Sequence, residues 1–200
     1  MSWCPVLKLN GAVPSQASIA DIACCFNDEK DALFRLAFLI TGDKAQAEAC
    51  VINAYETTLQ GETPFRDWVF EWAKSATVRG AIRMRLDEIR RWESGYKDSH
   101  CEHPEHLFRE TVAEQQLMAE SIWRIDPGLV VAELDPFARA ILVLRGILRA
   151  SVRDCAVLLN VFRESVVAAQ CQIGTWLSTI RKDQQSELQY PCKRIPSCIR

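Results

Sequence analysis

Leu33-Phe34-Arg35-Leu36-Ala37-Phe38-Leu39-Ile40-Thr41-Gly42-Asp43 is the stretch from which the fold can be read. Leu33, Leu36, Ala37 and Ile40 recur at helical spacing and form one apolar face, and Gly42 stops the pattern. The spacing predicts a helix over 28–41 with Asn27 as its cap. Asp43 and Gln46 form a capping-box pattern that opens a second helix running to about Gln60, where Gly61 ends it. Upstream, Gln16–Phe26 reads as a shorter helix. Downstream, Thr63-Pro64 reads as a cap with proline at the first helical position, opening a long helix to about Glu93.

The same signals continue. Glu105–Ile125 reads as a helix within a stretch containing Gly95, Pro104 and an Asp126-Pro127-Gly128 turn. Asp135-Pro136 opens a helix to about Leu148, and Ser151 caps one to Leu159. Asn160 makes a turn, and a last helix spans Arg163–Lys182. No alternating apolar–polar run or hairpin dipeptide suggests strands. The expectation is an all-α chain: a helical domain over 1–92, an acidic linker with one helix over 93–133, a helical domain over 134–182, and a tail over 183–200.

The chain has 200 residues, 48% hydrophobic and 25% charged, which is a globular composition rather than a disordered one. Its net charge of −2 conceals blocks. Residues 64–92 carry seven bases against four acids, and 134–182 carry seven against three. Residues 1–63 carry eight acids against four bases, and 93–133 carry nine against three. The two basic blocks permit an anionic partner that the average conceals.

Met1–Pro14 lacks the basic and apolar regions of a signal peptide, and no apolar run approaches the roughly 20 residues of a bilayer span. With nine cysteines, several among apolar neighbours, the chain reads as cytoplasmic with reduced thiols. It shows no G-x-S-x-G, P-loop, dinucleotide-binding glycine pattern or H-E-x-x-H, so the expectation is that it is not an enzyme. His100, Cys101, His103 and His106 supply three imidazoles and a thiol that could satisfy zinc, although their spacing matches no usual ligand pattern. A polar loop with chance neighbours explains the same residues. Trp68 and Trp72, four apart, read as core, whereas Trp92 among the arginines reads as a surface for stacking an unpaired base.

The order of these segments resembles the bacterial sigma factors of the extracytoplasmic-function type, which join two helical domains, regions two and four, by a flexible linker. Leu33–Asp43 with Ala47-Glu48 resembles the start of region two, and Phe65-Arg66-Asp67-Trp68-Val69-Phe70 resembles its phenylalanine-x-x-tryptophan-leucine helix. Leu134-Asp135-Pro136, Arg139, Ile141–Leu144, Ser151–Ala156 and Leu159 resemble region four with its helix-turn-helix. The resemblance implies core RNA polymerase bound through region two, with Glu48 and Asn53 on the contact face. It implies promoter DNA along Arg79, Arg83, Arg85, Arg90 and Arg91, and a groove-reading helix using Arg163, Ser165, Gln170 and Gln172.

The departures are specific. The family's polar run after alanine-glutamate is here Ala49-Cys50-Val51-Ile52-Asn53, which has lost charged contacts. Its alanine-arginine-asparagine segment is Ala73–Arg79 without the asparagine. Its threonine-valine-lysine-serine-arginine helix is Ser165-Val166-Val167-Ala168-Ala169-Gln170, without the cations that hold phosphates. A second reading is therefore an interaction protein on a sigma scaffold, binding an anti-sigma or other regulator or a second copy of itself. A third is a metal or thiol sensor. Arg139, Arg145, Arg149 and Arg153 read either as phosphate holders or as solvated charges, and the acidic stretch as a segment able to dock on a basic block.

Overall fold

A computed structural model of the protein describes residues 15–61, 64–97, 120 and 122–188, with the backbone alone for 181–188. Among these residues the secondary structure is helical apart from one isolated antiparallel bridge between Gln16 and Phe65. The all-α expectation is met at that level. The chain forms two compact units that divide between Met84 and Arg85.

In the first unit, α1 (Ile19–Asp28) is opened by a capping box. Ser18 Oγ accepts from Asp21 N at 3.1 Å, while Ser18 N donates to Asp21 Oδ2 at 2.9 Å. The helix continues through Asn27, which was expected to be a cap. Its amide instead donates to Asp28 Oδ1, and the break falls at Glu29, before α2 (Lys30–Thr41). Gly42 then takes the left-handed conformation at φ 68°, and its N–H closes the helix on the Phe38 carbonyl at 2.8 Å. Asp43 caps α3 (Lys44–Gln60) by accepting from Gln46 N at 2.8 Å. Leu33, Leu36, Ala37 and Ile40 are fully buried, as the apolar spacing required, and Leu39, outside that pattern, is buried with them.

The long helix α4 (Val69–Glu93) starts later than Pro64. The Pro64 carbonyl accepts from Ala17 N, and Arg66 N donates to the Ser15 carbonyl, both at 2.9 Å. These bonds hold Pro64 and Phe65 extended beside the N-terminal segment, so a 3₁₀ turn at Arg66–Trp68 precedes the helix. Arg66 also pairs with Asp21 at 3.0 Å. Val69 and Ala73 join Ile22, Phe26, Leu33 and Ala54 in one core cluster.

The second unit contains the last turns of α4 with α5 (Pro127–Glu133), α6 (Pro136–Ile141), α7 (Val152–Leu159) and α8 (Arg163–Leu188). Asp126-Pro127-Gly128 does not form the expected turn. The Asp126 carboxylate accepts from Gly128 N at 2.8 Å and caps α5, with Pro127 at its first position. The helix from Pro136 changes at Leu142 into a π-helix, Leu142–Ile147. Gly146 lies in that stretch, where a Cβ would collide with the Ile122 side chain. Ser151 and Asp154 box α7, and Asn160 ends it at φ 53°. Phe137, Ile141, Leu142, Leu144, Leu159, Val166 and Ile173 fill the core, with Ile89 of α4.

Leu36→Ala should cost about 2–5 kcal/mol through lost burial and a cavity, and Ser151→Ala about 1 kcal/mol through loss of its cap. Urea unfolding of each variant measures both.

Candidate nucleic-acid interface

At about 100° per residue, Trp72, Arg79 and Arg83 fall within about 40° of one another around α4. All three are exposed, Trp72 at 46%. Ala73, Thr77, Val78, Ala81 and Ile82 are buried and fix which way the helix faces. Trp72 is thus a surface aromatic, against the expectation of core burial. The four-residue spacing from Trp68 does not place both rings on one helical face, because Trp68 lies in the 3₁₀ turn before α4. Trp92 is also exposed, but its position in α4 is about half a turn from the Arg79–Arg83 row. The aromatic aligned with the first two arginines is Trp72.

The remaining arginines of this helix have different settings. Arg85 is half-buried and ion-paired with Glu88. Arg90 is half-buried, and its Nε donates to the Leu159 carbonyl at 3.1 Å. Arg91 is exposed.

On α8, Ser165 is 0% exposed and its hydroxyl donates to the Glu93 carboxylate at 2.5 Å. Gln170 is 4% exposed. With its amide oxygen facing Arg145, the guanidinium donates to it from Nε at 2.6 Å and from Nη2 at 3.2 Å. Arg145 also donates from Nη1 to the Ala150 carbonyl at 2.5 Å. The two polar groups expected at a groove are therefore directed into the fold. Arg163 and Gln172 are exposed, but nine residues apart they project about half a turn from each other. Between them the outward face presents Glu164, Val167, Cys171 and Thr175, a row with a carboxylate and no cation.

The end of α4 is held by a polar network. Tyr96 stacks at 5.0 Å on Phe137, and its hydroxyl donates to Asp135, which also caps α6 from Phe137 N and Ala138 N at 2.9 Å. Burial, then the Asp135 bond, push the Tyr96 phenol well above its usual range. Arg139 is buried beside Glu88, Arg85 and Asp135, and burial pulls its guanidinium below the ordinary value. Of the four arginines read as phosphate holders in this unit, Arg149 and Arg153 are exposed, while Arg139 and Arg145 serve the interior.

On α3, Glu48 and Asn53 are exposed, with Ile52 beside them and Cys50 buried. His100, Cys101, His103 and His106 lie outside the described residues. Among the described residues no group of three or more histidine, cysteine or acidic side chains is placed to hold a metal, and no helix is long and apolar enough to cross a membrane. Cys24, Cys25, Cys50 and Cys155 are free thiols, whereas Cys171 is in a disulfide, so full reduction is not what the structure shows. Trp123 and Trp176 are half-buried, and Trp176 donates to Glu133 at 2.5 Å. Comparison with known protein families, curated proteins and solved structures finds no match to this chain.

Two outcomes follow from the buried groups. Ser165→Ala leaves the Glu93 carboxylate without its hydroxyl donor and should destabilise the second unit by about 1–3 kcal/mol, read by urea unfolding. Burial pushes the Cys155 thiol up from 9.0 to about 12. The folded state keeps that proton longer, so stability is full below about pH 9 and falls as pH rises toward 12. The urea midpoint should drop between about pH 8 and about pH 10.5, and Cys155→Ala should reduce the drop.

Proposed function

We propose that this protein is a divergent, non-enzymatic transcription protein of the sigma-factor type, acting in the bacterial cytoplasm, whose nucleic-acid contact lies on α4. The observation that carries the proposal is the exposed row of Trp72, Arg79 and Arg83. Trp72 stacks on an unpaired base, and Arg79 and Arg83, whose backbone positions are about 6 Å apart along the axis, hold neighbouring phosphates. Core RNA polymerase meets the exposed side of α3, on which Glu48 and Asn53 stand about 140° apart with Ile52 between them. With Ile52 exposed there, that contact is more apolar and less charge-directed than in the family. Sequence reading of a duplex groove by α8 is weak in this protein, because Ser165 and Gln170 are hydrogen-bonded inside the fold.

That burial favours a second reading, in which the scaffold serves as an interaction protein whose helix-turn-helix meets a regulator or a second copy and not DNA. Core RNA polymerase separates the two. Stable capture that supports run-off transcription fits the first reading, and absence of capture fits the second. Under the first, Trp72→Ala should weaken single-stranded DNA binding by about 1–3 kcal/mol. Arg79→Ala with Arg83→Ala should lower the salt dependence by about 0.7 in log–log slope per lost phosphate contact. Fluorescence anisotropy across a salt series measures both.

A further inference from the structure

The helix-turn-helix of the second unit carries a separate exposed surface at its turn. Val157, near the end of α7, is 56% exposed, and Phe162, the residue before α8, is 63% exposed. Neither is needed for the core, which Cys155, Leu159 and Val166 fill from the other side of the same segments. Each of the two residues has cations next to it. Arg153 is one helical turn before Val157 on the same side of α7, and is exposed. Arg163 follows Phe162 directly and is exposed. Lys97 lies with its ammonium 5.2 Å from the centre of the Phe162 ring, a cation–π contact that orders both side chains at the surface. Lys97 also pairs with the buried Glu93 at 3.5 Å, so the outward charge of the rim rests on Arg153 and Arg163, with Glu164 the one fully exposed acid and Asp154 half-buried in the segment from Ser151 to Glu164.

An exposed large aromatic with an aliphatic neighbour is the usual anchor of a protein contact, and charges at its rim select the partner's sign. Duplex DNA suits this surface poorly, because burying Phe162 and Val157 against phosphates strands apolar area without compensation. We propose that the turn Val157–Phe162, with Lys97, Arg153 and Arg163, is a docking surface for an acidic amphipathic helix of a partner protein. The partner's apolar side chains cover Phe162 and Val157, and its carboxylates meet Arg153 and Arg163, with Lys97 held between Glu93 and the Phe162 ring. The proposal does not rest on the nucleic-acid reading of α4, because no residue of the Trp72 row takes part.

The test titrates the full chain, by fluorescence anisotropy, with two labelled helical peptides of roughly 15 residues. Both carry leucine and phenylalanine at helical spacing, one with glutamate at the remaining positions and the other with lysine. The acidic peptide should bind and the basic one should not. Affinity should fall at least about tenfold in Phe162→Ser and in Arg153→Glu, and should weaken with added salt. Both sites are exposed, and an unchanged urea midpoint confirms that each variant is folded. Undiminished binding by the two variants, equal binding of both peptides, absence of binding, or displacement of the acidic peptide by duplex DNA at matched affinity would each overturn the proposal.

Discussion

The hydrogen bond from Ser165 to Glu93 sets the character of the second unit. A buried carboxylate is tolerated only when its oxygens are satisfied, and here Ser165 and, at 3.5 Å, Lys97 do so. The bond requires the last turns of α4 to lie against the start of α8. Around it Ile89 is buried, Tyr96 reaches Asp135, and Arg90 reaches the Leu159 carbonyl. A helix fixed in this way cannot also turn Ser165 outward. With Gln170 committed to Arg145, the outward row is the exposed Glu164 and Thr175 with the half-buried Val167 and the disulfide-bonded Cys171 between them. The polar groups of Ser165 and Gln170 therefore serve the packing of the second unit.

That constraint shifts attention to α4. Its first part buries Ala73, Thr77 and Ala81 and leaves Trp72, Arg79 and Arg83 outside, an aromatic plane and two exposed cations on one side of the helix. Stacking and phosphate binding require no exact groove geometry and suit an unpaired strand. The near-neutral charge of the whole chain does not oppose this, because binding responds to the local field of the helix.

Much of the fold was legible in the sequence because caps and stops act locally. Gly42, Asp43, Asp135-Pro136, Ser151 and Asn160 each ended or opened a helix where their chemistry required. What was not legible depended on distant partners. The late start of α4 comes from pairing of 64–66 with residues 15–17. The cap at Asp126 was hidden because Asp-Pro-Gly is also a turn pattern, and the π-helix from Leu142 leaves no periodic signature. At the candidate site, Arg79, Arg83 and Arg163 were found by charge alone. Trp72 was misplaced because its spacing from Trp68 assumed one uninterrupted helix, and Ser165 and Gln170 because nothing local in α8 announces Glu93 or Arg145.

Photochemical crosslinking of the full chain to single-stranded and duplex DNA, with the modified residues located by mass spectrometry, decides whether α4 or α8 meets the nucleic acid. The account predicts crosslinks from the single strand to the exposed residues between Trp72 and Arg83, and none from either DNA to Ser165 or Gln170. Duplex crosslinks concentrated on α8 between Arg163 and Gln172, with none on α4, would contradict it.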